Sequence, residues 1–303
     1  MLSNPKQDEI EIEEFHIERQ KVGFRRDITQ IRDTISFELR RHINRFLVIL
    51  LVYIGFFILG VLIFESAEAL GLPIAADSAE YVKGYLELNF GFLIVISGAA
   101  FGGSIIAEDY HKQTNNLLFP KSRKANILIG RLIARYLLMA ACLLFFYLLV
   151  AGITLINYEE IPLTIFNSFG WALYFSFAIL SFITMLSSFM KNTSMTIIMG
   201  IMITIIVFEM IPMLVSMSGV FEKNEFPLFF VLTYYGRIVS ESLAMPNPRY
   251  SVEIIQMMDS EPVETMTWLT PSEIGAFFGI LIYISFLLLI AYLRYKKRQS
   301  KGE

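Results

Sequence analysis

The chain has 303 residues, 55% of them hydrophobic, with a mean hydropathy of +0.57 and only 17% charged. Soluble domains carry about 25% charged residues, so this composition points away from a soluble protein and towards one that lives in a bilayer. The net charge of -3 says little, because the charges are segregated by position, whereas the single cysteine, Cys142, excludes a disulfide framework and a cysteine-based metal site.

The opening twenty residues, "MLSNPKQDEIEIEEFHIERQ", are acidic and polar, unlike a secretory signal peptide. Within residues 1–26, "EIEIEEFHIERQ" fits either a short strand or an unstructured segment. Residues 27–45 follow a helical period, with Ile28, Ile31, Ile35, Leu39 and Ile43 at steps of three and four and charge on the other face. That pattern predicts an amphipathic helix on the membrane surface, or alternatively against a soluble partner.

A bilayer core of about 30 Å needs about 20 apolar helical residues. Six stretches answer to that, at about 46–64, 90–106, 136–156, 170–190, 195–217 and 274–292, within a domain running from 46 to 293. The expected fold is an all-α integral membrane protein. Lys and Arg set the orientation. Residues 1–45 hold nine, the 107–135 connector six, the turn at Lys191 one and the 294–303 tail five; the opposite side holds only Lys83, Lys223, Arg237 and Arg249. Both termini are therefore expected in the cytoplasm, with residues 218–273 outside. In that outer segment "FPLFFVLTYYGRIVSESLAM" is too short to span before Arg237, which predicts short re-entrant helices. "YSVEIIQMMDS" is read as one more short helix.

Enzyme signatures are missing from the sequence. His16, His42 and His111 lie at no ligand spacing, and there is no HExxH, GxSxG or Walker A motif. Glu209 is the only ionisable residue within a predicted span. It reads either as a carboxylate reaching the outer interface or as a cavity or dimer-contact group. Met195, Met199, Met202, Met213 and Met217 share a face of span five. Such a face gives a soft packing surface, with Cu(I) passage as the alternative. Gly98 and Gly102 in "SGAAFGGS" have the small-xxx-small spacing that lets helices approach closely in lipid.

The densest polar chemistry lies between spans two and three, in "SIIAEDYHKQTNNLLFPKSRKANILIGRLIARY". Glu108 and Asp109 follow the span, with His111 next. Leu117, Leu118 and Phe119 form an apolar triplet, Pro120 permits a turn, and Ser122 suits the N-cap of the helix into span three. A positive-inside loop accounts for the bases of this connector but not for the acids, the triplet and the turn together.

In this order, Glu108, Thr114, Leu117, Leu118, Pro120, Ser122, Arg123, Gly130 and Arg131 make the connector resemble that of the permease subunits of ABC-2-type transporters. Gln113 stands where that family usually has Gly, and Arg131 where it has Lys. The resemblance implies a multi-pass protein of a prokaryotic cytoplasmic membrane and a paired second permease, identical or related. It also implies a separate ATPase subunit, holding ATP and Mg, docked on a coupling helix at Glu108–Arg123. The chain itself then has no catalytic residue, cofactor, metal or nucleic-acid partner. Spans two and five commonly face the dimer axis in the family, which gives Gly98, Gly102, Met199, Met202, Glu209 and Met213 a pathway or interface role. Family members mostly export lipids, glycans, peptides, drugs or ions. A member that acts on an outer-face partner, such as a copper-related maturation system, is the alternative; a secondary carrier or a membrane enzyme is a further one.

Overall fold

A computed structural model describes residues 24–71, 75–111, 124–208, 210–211, 225–255 and 263–300. In chain order it holds α1 (Phe24–Arg41), α2 (Ile43–Ala69), α3 (Ser78–Gly102), α4 (Ala107–His111), α5 (Lys124–Tyr158), α6 (Thr164–Phe189) and α7 (Thr193–Met202). The 3-10 turns Phe226–Phe230 and Leu232–Arg237, then α8 (Ile238–Glu241), β1 (Tyr250–Ile255), β2 (Val263–Trp268) and α9 (Glu273–Ser300) complete it.

Among the described residues, five helical stretches are long and apolar enough to cross a membrane: Ile43–Ala67, Gly91–Asp109, Ala125–Tyr158, Thr164–Phe189 and Glu273–Lys297. The region of the predicted fifth span contributes a shorter apolar helix, Thr193–Val207. It relaxes into a π-turn at Ile203–Val207, where Thr204 Oγ1 donates back to Gly200 O at 2.8 Å. Such turns lodge an extra residue and open the helix locally.

The bundle is layered around α3 and α6. The most apolar window of the α3 span is 72% buried by the rest of the chain, against 17% for that of α2, which sits at the rim. Where α3 meets α6, side chains have been removed to let backbones close. A Cβ on Gly98 would fall 2.7 Å from Ile179 Cγ2, and one on Gly102 would fall 2.9 Å from Ile183 Cγ2. The small-residue pair serves packing between α3 and α6, and both glycines are buried there. The start of α3 is closed by a reciprocal cap. Asp77 Oδ1 accepts from Glu80 N and Glu80 Oε2 accepts from Ala76 N, each at 2.7 Å.

The expected short helices after span five are present at 226–241, buried against α3, α6 and α9. The expectation of a short helix at "YSVEIIQMMDS" is corrected over residues 250–255, which form an antiparallel hairpin with residues 263–268 in an otherwise helical fold. Tyr250 pairs with Trp268 at its base and Ile255 with Val263 at its tip. Alternation of β-branched and polar residues in "YSVEII" and "VETMTW" suits strands, and the short length denies a helix its cooperative turns. Arg249 fastens the hairpin base to the short helices. Its guanidinium donates to both Glu225 oxygens at 2.9 and 3.1 Å and lies 5.5 Å over the Trp268 ring.

Candidate functional site

At Gly102 the helix of α3 stops, and residues 103–106 form a turn before α4 resumes. Backbone carbonyls released by that break would be costly in an apolar bundle. Three arginines reach them. Arg45 Nη1 donates to Ala100 O at 2.9 Å and to Ser104 Oγ at 2.9 Å. Arg135 Nη1 donates to Phe101 O at 3.2 Å and Ser104 Oγ at 2.8 Å, and Arg131 Nη1 donates to Ile105 O at 3.0 Å. Ser187 of α6 completes the set. Its hydroxyl donates to Gly103 O at 3.1 Å and accepts from Ala107 N at 2.8 Å and Ile106 N at 3.1 Å.

Arg131 and Arg135 are neutralised by two buried carboxylates from different elements. Glu38 of α1, 1% exposed, accepts from Arg135 Nη2 at 2.8 Å and Nε at 3.1 Å through one oxygen. Its other oxygen lies 3.4 Å from Arg131 Nε. Asp109 of α4, also 1% exposed, accepts from Arg131 Nη1 at 2.7 Å and from the Tyr295 hydroxyl of α9 at 3.0 Å. Glu108, one residue earlier, is paired with Arg41 of α1. The first residues of the connector are thereby tied to α1, α5 and α9 together, by bonds of the charge-assisted kind.

Burial raises the Glu38 carboxyl, but the neighbouring His42, Arg135 and Arg131 outweigh it and hold the group at about 2. His42 is pushed below its ordinary value by burial and by Arg135, against the pull of Glu38. Its Nε2 stands 3.3 Å from Glu38 Oε2, but off the hydrogen-bond line.

α1 reaches this network by presenting its polar line to the protein. Asn126 Nδ2 of α5 donates to Asp27 Oδ1 at 2.8 Å and Gln30 Oε1 at 3.0 Å, Thr34 lies against Gly130, and Glu38 closes on Arg131 and Arg135. Ile28 and Phe37 point outward, 49% and 62% exposed, while Ile31, Ile35 and Leu39 are half-buried at the flank. The charged face expected to meet water is in part the face that holds α1 in place.

Of the residues singled out from the sequence, the structure joins Glu108 and Asp109 to the network and ends α4 at His111. Thr114, Leu117, Leu118, Pro120, Ser122 and Arg123 lie outside the described residues, as do Glu209 and Met213. Met199 is half-buried, whereas Met195 and Met202 are about half exposed, at 54% and 48%, on the outward face of α7. Its inward face is Thr196, Gly200 and Thr204. Sequence reasoning missed Glu38, Arg135 and Tyr295. The signal available was Arg131 and Arg135 one turn apart at the start of an otherwise apolar helix.

Near the opposite end of the bundle a cavity of about 420 Å³ opens between α3, the π-turn and residues 233–241. Ile94, Phe175 and Thr204 form part of its wall, with Glu87, Arg237 and Glu241 among the charged residues lining it. Lys83 Nζ donates to Glu241 Oε2 at 2.7 Å, joining α3 to α8, and burial raises the Glu87 carboxyl above its usual range. An apolar wall with both signs of charge suits an amphiphilic guest. No protein-family model and no curated protein matches this sequence.

Proposed function

We propose that this chain is the membrane-spanning subunit of an ATP-driven transporter of the ABC-2 type, working with a separate ATPase and a second permease. In this reading six helices cross a prokaryotic cytoplasmic membrane, with Thr193–Val207 and the residues after it forming the fifth crossing. Both termini then lie in the cytoplasm, and the network end of the bundle faces the ATPase.

The observation that carries the reading is the anchoring of the connector's first acids. A loop that only sets topology has no use for a buried carboxylate fixed by an arginine and a tyrosine from two other helices. A connector that must transmit force does, because displacement of α4 then displaces α1, α5 and α9 together. The substrate is assigned to the amphiphile-compatible cavity between α3, the π-turn and residues 233–241.

Purified alone, the chain should neither bind nor hydrolyse ATP. Co-expressed with its cognate ATPase, it should form a complex of two permeases and two ATPases, and a cysteine at His111 or Asn115 should crosslink to the ATPase. Asp109→Asn should leave assembly intact and uncouple hydrolysis from transport. Hydrolysis by the permease alone, or wild-type transport by Asp109→Asn with no crosslink from either position, would sink the proposal.

A further inference from the structure

A second groove, of about 430 Å³, lies at the end of the bundle opposite the arginine network, between the last turns of α2 and α5 and the first turn of α3. Its walls include the rings of Phe64, Tyr81 and Tyr158, and its polar groups include Glu65 and Asn157. Tyr81 is central to the wall. Its ring centroid is 5.0 Å from Phe64 and 5.3 Å from Tyr158, and its hydroxyl accepts from Asn157 Nδ2 at 3.0 Å. Behind it Tyr85 stacks on Phe64 at 4.8 Å, with its buried hydroxyl unbonded among the described residues.

Glu65 is the one formally charged residue in the lining of the groove. Lys83, next along α3, is engaged by Glu87 and Glu241, and Glu159 and Glu160 follow Tyr158. Asp77 and Glu80 are used in the α3 cap, and Glu160 accepts from Ser78 Oγ at 2.7 Å. Glu65 has no hydrogen-bond or ion-pair partner among the described residues. An interfacial aromatic belt would account for tyrosines at this depth. It would not account for the exposed carboxylate of Glu65 among three aromatic residues in a groove whose lining includes no Lys or Arg.

We infer that this groove binds an organic ammonium group, with Glu65 as counter-charge and Phe64, Tyr81 and Tyr158 supplying ring faces. Aromatic faces attract ammonium through their quadrupole, and the acidic surroundings raise its local concentration. The same chemistry is offered by a lipid headgroup and by a free organic cation, and the inference does not depend on what the chain transports.

The full chain, purified in detergent and stripped of lipid, is titrated with choline chloride against sodium chloride at equal ionic strength, reading its melting temperature. In a second arm, native mass spectrometry compares retention of phosphatidylcholine with phosphatidylglycerol. A saturable stabilisation by choline alone assigns the groove to free cations as well. Selective retention of phosphatidylcholine without a choline effect assigns it to the headgroup. In either arm Glu65→Gln should weaken the preference at least about threefold, a change within the range of one cation–π or charge contact. Tyr158→Leu should do the same should Tyr81→Leu fail to fold, and Tyr81→Phe should retain the preference. Equal response to choline and sodium together with no lipid preference overturns the inference, as does a preference unchanged in Glu65→Gln and Tyr158→Leu.

Discussion

Replacing Glu38 by Gln tests whether the arginine network is a structural keystone. The substitution keeps shape and removes one buried negative charge. Arg131 would retain Asp109 and the Ile105 carbonyl, but Arg135 would be left with uncharged acceptors alone, among them Phe101 O and Ser104 Oγ. Removing one partner of a buried pair costs about 3–5 kcal/mol, since the remaining charge stays in a poor solvent. The exposed pair Arg32–Asp33, with side chains 79% and 65% exposed, provides the control, and Arg32→Ala should change little. Replacing both partners, Glu38→Leu with Arg135→Met, should recover much of the loss, because well-packed apolar residues often match a buried pair. Melting of the detergent-purified protein, followed by loss of its monodisperse chromatographic peak at a fixed heating rate, gives the ranking without requiring reversibility. A Glu38→Gln protein that melts with the wild type and the Arg32→Ala control would refute the reasoning.

Acid should weaken the same network in two windows. His42 has a folded pKa below 6.5, so the unfolded chain takes up its proton first; its contribution is complete above pH 6.5 and falls as the pH drops below that. His42→Asn should flatten this first loss in a melting-temperature series. Glu38, held at about 2 against an ordinary 4.5, contributes fully above about 4.5 and loses that contribution between there and about 2, which Glu38→Gln should abolish. Gly98→Ala places a methyl 2.7 Å from Ile179 Cγ2 and should cost about 1–3 kcal/mol by overpacking, with Ile179→Ala in the same chain restoring part of the melting temperature. Gly130→Ala places a methyl 2.8 Å from Thr34 Cβ and 3.1 Å from the Ile31 carbonyl. Backbone cannot rotate away, so α1 should lift, and faster amide exchange across 27–41 than in wild type is the expected readout.

The five long apolar helices were legible because a run of about 20 apolar residues has few other uses. The starts of α2, α6 and α9 fall within a few residues of, or ahead of, the hydropathy boundaries. Three features were not legible from hydropathy, each for a physical reason. Strands of six residues carry too little periodicity to outvote a neighbouring apolar run, although Val252, Ile254, Val263 and Thr265 are β-branched at alternate positions. The isoleucines of α1 place its apolar line at the membrane surface, which leaves open what its polar line meets. Beside a bilayer the apolar side has lipid as a second acceptable solvent, and the line Asp27, Gln30, Thr34, Glu38 is free to seek the protein. Arg131 and Arg135 entered the reading as charges that orient a chain, whereas the structure uses them as donors to a broken helix. A donor role becomes visible only when the break at 103–106 is brought beside α5.

Lipid tails are as apolar as leucine, so helices in a bilayer gain no hydrophobic drive from meeting one another. What selects one arrangement must then come from close packing and from polar groups that have no alternative partner in hydrocarbon. This bundle uses the two at different levels. Along α3 and α6 the glycine–isoleucine contacts at Gly98 and Gly102 fix separation and register. At the base, Arg45, Arg131, Arg135 and Ser187 donate to carbonyls of the α3 break, and Glu38 and Asp109 are the buried counter-charges of Arg131 and Arg135 among the described residues. The consequence is a division of labour. Packing contacts yield gradually when helices slide, whereas a network of buried charges has few acceptable arrangements and holds until a partner is exchanged. A connector attached to such a network can stay rigid against thermal motion and still pass on a large displacement as a single step.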